Sequence, residues 1–235
     1  MQDHEPIKTN VDRRYFFQRA LSVVVAGAAA PAAIGLLARP AGVHAQTNLS
    51  PDAALQELLA GNERFVANQL TSIAHDLVIL KEHTVEKQEP FAAVLACADS
   101  RVPVELVFDQ TIGHIFVTRV AGNLVTPEII ASLEYSVAVL GIKTLLVLGH
   151  TNCGAVKAGM KADSVPGQIS ALYPHLQPAV QQSGGSLDKA IHANAKVQAE
   201  LLGTSSPVIR DAIKAGKLKL DFGVYDLGSG KVTLG

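Results

Sequence analysis

Three short, almost unbroken apolar runs constrain the fold of this chain most strongly. They cover residues 91–96, 115–120 and 144–148. Runs of this length, bounded by glycine, proline or polar residues, are typical of strands that are buried on both faces of a parallel sheet. The segments between and after them have helical periodicity, at residues 102–108, 126–140 and 155–161. This alternation of strands and helices predicts an α/β fold with right-handed βαβ connections.

Further regular segments flank this unit on both sides. Residues 51–68 have apolar side chains at helical spacing and follow Ser50, a residue type that caps helices, so they predict an N-terminal helical arm. The later segments are two helical stretches and a fourth strand with a small hairpin, at residues 187–202, 207–215, 218–226 and 231–234. Nothing in the pattern divides residues 46–235, so we expect one domain there.

Charge and aromatic content argue against nucleic acid as a partner. The 235 residues have a formal net charge of −1 and a pI near 6.7, so the chain has no basic excess with which to neutralise a phosphate backbone. Tryptophan is absent, which leaves few side chains on which single-stranded bases could stack. Nucleic acid is therefore an unexpected partner for this chain.

The first 45 residues have the order of a signal peptide. Arg13 and Arg14 precede an aromatic stretch, residues 20–38 are uncharged, and residues 43–45 form a small-residue cleavage site. Paired arginines at this place indicate a twin-arginine signal, which exports proteins already folded, so we expect a periplasmic protein that begins at Gln46. The alternatives are that the apolar stretch is retained as a membrane anchor or forms a core helix.

Chemistry-bearing residues follow two of the predicted strands. Cys97, Asp99 and Arg101 come after the first strand, and His150 and Cys153 come after the third. Because ligands bind at the carboxyl edge of parallel strands, both cysteines and the histidine are expected to converge there. Two thiolates and an imidazole suit Zn²⁺, and three protein ligands leave one position open, as in a catalytic site. Small apolar packing roles or a disulfide between the cysteines are the alternatives.

The same residues give the chain a resemblance to the β-class carbonic anhydrases. The matching segments, which extend over most of residues 46–235, are GNERF at 61–65, CADSRV at 97–102, FDQ at 108–110, Gly113, FVTRVAGN at 116–123, SLEYS at 132–136 and VLGHTNCGAV at 147–156. The resemblance implies one zinc ion held by Cys97, His150 and Cys153. It also implies a central four-stranded, mainly parallel sheet flanked by helices, in a homodimer or homotetramer.

The resemblance also implies roles for residues around the metal. Asp99 and Arg101 form the catalytic pair, in which Asp99 orients the attacking water or, in a closed state of the site, becomes the fourth zinc ligand. Four further residues match positions that bind substrate in the family, partly across the dimer interface: Gln88, Phe116, Ala121 and Tyr135. Members that bicarbonate switches off carry a tryptophan three residues before the first cysteine ligand, where this chain has Val94. We therefore expect an open site.

The implied function is reversible, zinc-dependent hydration of carbon dioxide to bicarbonate and a proton. Two alternatives remain at this stage. One is a zinc hydrolase of a carbon dioxide analogue, carbon disulfide or carbonyl sulfide. The other is a zinc-binding protein without activity, which the absence of Asp99 or Arg101 would favour, but both residues are present.

Overall fold

The computed structural model of the protein describes residues 47–72 and 84–235. The predicted signal peptide over residues 1–45 lies outside the described residues and stays a prediction. None of the helices within the two described ranges is both long enough and apolar enough to cross a membrane.

A five-stranded sheet forms the centre of the domain. Its strands are β1 (Ala92–Ala96), β2 (Ile115–Arg119), β3 (Thr144–His150), β4 (Lys219–Tyr225) and β5 (Val232–Leu234). They lie in the order β2-β1-β3-β4-β5, and every neighbouring pair is parallel except the terminal hairpin of β4 and β5. The α/β prediction is thus confirmed, with four parallel strands as expected. The hairpin strand pairs in the same sheet and makes it five-stranded.

The unbroken apolar runs became strands because both faces of the sheet are covered. Every residue of β1 and β3 is buried, and successive side chains point to opposite faces. Leu146 and Leu148 pack on one face with Leu58 and Phe108. Leu145 and Val147 pack on the other face, against the helices that cross over the sheet. The predicted burial on both faces therefore holds for β1 and β3, whereas β2 lies at an edge and is only partly buried.

Seven α-helices surround the sheet in the described part of the chain. They are α1 (Pro51–Val66), α2 (Val104–Val107), α3 (Pro127–Ala138), α4 (Gly154–Lys161), α5 (Tyr173–Gln182), α6 (Leu187–Ser205) and α7 (Pro207–Lys214). Six of these fall on segments with predicted helical periodicity. Ser50 caps α1 by accepting a hydrogen bond from the Ala53 backbone N–H, as predicted.

Helix α5 and the 3₁₀ turn before it, Ile169–Leu172, have no counterpart in the sequence prediction. The segment contains Pro174 and Pro178, which usually mark the end of a helix. Pro174 lies in the first turn of α5, where the missing N–H has no intrahelical partner. Pro178 is tolerated inside the helix because Leu176 and Ala179 anchor it by burial.

Helix α1 packs against its own chain through the GNERF segment. A Cβ atom on Gly61 would lie 1.8 Å from the Phe108 carbonyl oxygen, so only glycine permits this approach. Asn62 is buried; its Nδ2 donates to the carbonyls of Val107 and Gly230, and its Oδ1 accepts from the Val232 N–H. These bonds fasten the predicted helical arm to the terminal hairpin and to the end of α2.

Asp109 provides the second attachment of α1. Its buried carboxylate accepts hydrogen bonds from Arg64 Nε at 2.5 Å, from the Thr71 hydroxyl and from the backbone N–H groups of Thr71 and Ser72. Burial raises the pKa of Asp109, but the hydrogen bonds from Arg64, Ser72 and Thr71 outweigh it and hold that pKa well below its usual range. The carboxylate therefore remains charged in the folded protein.

Candidate active site

The two cysteines and the histidine meet at the carboxyl edge of the sheet. Cys97 directly follows β1, His150 is the last residue of β3, and Cys153 immediately precedes α4. All three are buried, and their ligand atoms lie within 4.8 Å of one another. The parallel pairing of β1 with β3 brings them together, because it ends both strands at the same edge.

His150 is oriented for a metal ion. Its Nδ1 donates to the Thr151 carbonyl at 3.0 Å, which leaves Nε2 as the free ring nitrogen. Nε2 is fully buried and has no hydrogen-bond partner among the described residues. A buried polar atom without a partner costs free energy, and a metal ion at the three-residue cluster removes that cost. The donor set therefore fits Zn²⁺.

The cysteines are free thiols, as the ligand interpretation requires. The interaction between the two cysteine side chains lowers the pKa of Cys97 and raises that of Cys153. Burial raises both pKa values, and the Gly122 N–H lowers that of Cys97. One of the pair is therefore poised as a thiolate. The Gly122 N–H donates to Cys97 Sγ at 3.2 Å, an orientation that uses the positive φ of 78° at Gly122.

Asp99 and Arg101 form a two-pronged ion pair beside this cluster. Arg101 Nε donates to Oδ1 at 2.9 Å and Nη2 donates to Oδ2 at 2.7 Å, while the Arg101 N–H also donates to Oδ1. The hydrogen bond from Arg101 holds the pKa of Asp99 well below its usual range. Asp99 Oδ2 lies 3.8 Å from His150 Nε2, so the carboxylate borders the space where a metal ion would sit.

Arg119 is a site residue that the sequence reasoning missed. It ends β2 and donates from Nε to the Cys97 carbonyl at 2.9 Å and from Nη2 to the Asp99 carbonyl at 2.5 Å. These bonds fix the backbone of the loop that carries both Cys97 and Asp99. One signal for this role was available in the sequence: Arg119 is a charged residue at the end of a mostly apolar predicted strand.

The turn between His150 and Cys153 depends on Asn152. This residue has a φ of 60°, in the left-handed region that asparagine tolerates better than most residues. Its Oδ1 accepts a hydrogen bond from Lys157 of α4. The reversal brings the Cys153 sulfur back toward the imidazole, and the spacing of two residues between these ligands follows from it.

Only one of the four predicted substrate-binding residues lies at the metal cluster of the same chain. Ala121 lies next to Gly122 and so belongs to the wall of the site. Phe116 pairs in register with Ala93, four residues before Cys97, which puts it about 13 Å along the strand. Its ring contacts Tyr135, with centroids 6.3 Å apart. Tyr135 and Gln88 line a surface pocket of about 370 Å³.

The other histidines in the described part of the chain do not single out a proton shuttle. His114, His175 and His192 are exposed, and the His192 ring packs edge-on against Phe222. His75 and His83 lie outside the described residues.

This fold and site define a class of protein: an α/β domain with a buried Cys₂His cluster, suited to a catalytic zinc ion, at the carboxyl edge of its parallel strands. Known proteins agree. The family profile described as Carbonic anhydrase matches residues 92–232. Carbonic anhydrase 2 of Mycobacterium tuberculosis is 33% identical over 199 residues, covering 80% of this chain and 94% of that protein.

Two further similarities point the same way. Carbonic anhydrase of Mycolicibacterium smegmatis is 35% identical over 197 residues, with coverage of 80% and 94%. The solved structure of the β-carbonic anhydrase CcaA superposes with a TM-score of 0.62 at 26% identity, covering 77% of this chain and 86% of that one. The chain belongs to the β-class carbonic anhydrases and is an enzyme of that family.

Proposed function

We propose that this enzyme is zinc-dependent and interconverts carbon dioxide and water with bicarbonate and a proton. The observation that carries the proposal is the buried Cys97–His150–Cys153 cluster, with an unpartnered histidine nitrogen next to the Asp99 carboxylate. Cys97, Cys153 and Nε2 of His150 would hold the ion. When bound, zinc supplies a hydroxide nucleophile at neutral pH by lowering the pKa of a water molecule from 15.7 to about 7.

Asp99 and Arg101 orient the attacking water. Arg101 already binds both carboxylate oxygens of Asp99, so this pairing favours a carboxylate that stays on the guanidinium instead of becoming a fourth metal ligand. With Oδ2 at 3.8 Å from His150 Nε2, the Asp99 carboxylate would accept a hydrogen bond from the nucleophile that bound zinc supplies and would orient that nucleophile toward carbon dioxide. Members switched off by bicarbonate carry a tryptophan where this chain has Val94, and the lack of that tryptophan favours the open state.

The enzyme acts as a homodimer or a larger homo-oligomer. Phe116 and Tyr135 form an apolar patch on the edge strand β2 and on α3, and Tyr135 is 46% exposed. A second copy that covers this patch would bring Gln88, Phe116 and Tyr135 toward the partner's metal cluster. These residues would then supply the apolar wall that carbon dioxide requires, as the family resemblance predicts.

Light scattering on a size-exclusion column tests the assembly. The unmodified protein should elute at twice the chain mass or more, and Tyr135→Arg should lower that mass and the activity together. His192→Ala, an exposed change on α6, serves as the control and should alter neither. An unmodified protein that is monomeric and fully active would contradict an active site formed by residues of two copies.

Metal content tests the ligand assignment. Purified protein from Gln46 onward should contain about one zinc per chain, and Cys97→Ser, His150→Ala or Cys153→Ser should each remove most of it. His192→Ala is the matched control for the histidine variant and should keep its zinc. Full zinc content in Cys97→Ser would refute the assignment. Assays of the same samples with carbonyl sulfide test the hydrolase alternative, which no feature of the site favours.

We also propose that the protein is exported to the periplasm with its zinc already bound. Folding in the reducing cytosol would let the metal protect both thiols before they meet an oxidising compartment. Changing Arg13 and Arg14 to lysine should leave the protein in the cytoplasm, whereas Arg19→Lys should not. Export of the doubly changed protein in mature form would show that the route is wrong.

A further inference from the structure

Two amide side chains are buried in the middle of the apolar face of α6. Asn194 and Gln198 are each only 1% exposed. Their neighbours on this face are apolar: Ala190, Ile191, Ala195, Ala199 and Leu202. Apolar residues at these two places would pack in the core without needing partners. The Asn194–Gln198 pair is therefore unexpected for packing alone.

The hydrogen bonds of the Asn194–Gln198 pair have a fixed direction. The Val125 N–H, which can only donate, donates to Gln198 Oε1 at 2.8 Å, so Nε2 is the other end of that amide. Nε2 donates to Asn194 Oδ1 at 3.2 Å, and this orients Asn194 Nδ2 toward the Gly122 carbonyl at 2.8 Å. That carbonyl can only accept. Both ends of the series therefore agree on the orientation of each amide.

The series ends at the metal cluster. Gly122 is held by Asn194 through its carbonyl, and its own N–H donates to Cys97 Sγ at 3.2 Å. A glycine with a φ of 78° has no side chain of its own to hold it in place. Asn194 thus fixes the residue that donates to the sulfur atom.

We propose that Asn194 is a positioning residue for the metal ligand Cys97, acting through Gly122, with Gln198 setting the orientation of its amide. The proposal rests on the proposed metal site. Hydrogen-bonding partners of metal ligands typically contribute 10- to 100-fold in metal affinity. Asn194 is one residue further from the metal than such partners, so we expect its loss to lower affinity by about tenfold, at the lower end of that range.

Metal affinity separates this role from a purely structural one. The experiment compares Asn194→Leu with Asn62→Leu, the same change at another buried amide whose partners are residues 107, 230 and 232. Each protein is titrated with Zn²⁺ against a competing chelator, and with Co²⁺ to record the absorption that cobalt–thiolate bonds give. Urea unfolding of the same samples measures the loss of stability.

The expected result is an affinity about tenfold lower for Asn194→Leu and a shifted cobalt–thiolate band, with both properties unchanged in Asn62→Leu although it is also destabilised. Equal affinities in the two variants, whether retained or lowered, would overturn the proposal. If Asn194→Leu does not fold, Asn194→Ser, which is too short to reach the Gly122 carbonyl, decides on the same criteria. Failure of the unmodified protein to bind either ion would instead refute the metal site, and this inference with it.

Discussion

Replacing glycine by alanine at three helical positions should change the stability of the protein in different directions. At Gly61 an alanine Cβ would lie 1.8 Å from the Phe108 carbonyl oxygen, whereas real Cβ contacts essentially never fall below 3.0 Å. At Gly203 the nearest atom, Leu220 Cδ2, is at an ordinary 3.5 Å. At Gly159 the nearest atoms are Leu176 Cδ1 at 2.9 Å and Leu176 Cβ at 3.1 Å, so the buried leucine and its helix must give way by a few tenths of an ångström.

The magnitudes follow from two opposing terms. Alanine in place of a helical glycine stabilises a helix by up to about 1 kcal/mol. Overpacking against a fixed backbone atom costs about 3 kcal/mol, and α1 and the loop must here separate by more than an ångström. We therefore expect Gly61→Ala to lower the free energy of unfolding by about 2 kcal/mol. Gly203→Ala should raise it by about 0.5 kcal/mol, and Gly159→Ala should lie between them.

Urea unfolding of the zinc-loaded protein, at one protein concentration, measures all three changes. A loss of about 2 kcal/mol corresponds to a decrease of roughly 4–8 °C in Tm for a domain of this size. Gly61→Ala with the stability of the unmodified protein would refute the close packing of α1 on the loop after α2. If Gly203→Ala lowered the free energy of unfolding as much as Gly61→Ala, the loss would come from replacing a helical glycine as such and not from contact with Phe108.

Two further predictions concern charged pairs. Arg101→Ala should free Asp99 to coordinate zinc and remove most of the carbon dioxide hydration rate while zinc content stays at one per chain; unchanged stopped-flow rates would contradict the role of the pair. Because the pKa of Asp109 is lowered in the folded state, its contribution to stability is present above about pH 4, the unfolded value, and is lost as the pH falls further. The difference in urea midpoint between the unmodified protein and Asp109→Asn should accordingly be large at pH 7 and become smaller toward pH 3. A difference that does not depend on pH would contradict the charge assigned to Asp109.

The sequence predicted the centre of the parallel sheet well because burial of β1 and β3 on both faces leaves unbroken apolar runs. Strands β1 to β4 begin and end within two residues of the predicted ranges. The prediction missed α5 because Pro174 and Pro178 are local signals for a helix end, and only tertiary burial of that helix overrides them.

The metal cluster was predictable because its ligands are rare residue types placed directly after buried strands. The residues that position these ligands could not be predicted in the same way. Arg119 and Asn194 act through backbone carbonyls, and such bonds depend on where the chain passes and not on a motif. Buried amides within the apolar stripe of α6 were nevertheless a visible signal. The separation of Phe116 from the cluster needed the register of β2, which the sequence pattern does not specify.

Stopped-flow measurement of carbon dioxide hydration, on protein from Gln46 onward whose zinc content has been determined, tests the central claim most directly. The account predicts a rate proportional to bound zinc, which disappears when a chelator removes the metal and returns when Zn²⁺ is added back. Full hydration activity in the metal-free protein, or no activity in protein with one zinc per chain, would contradict it.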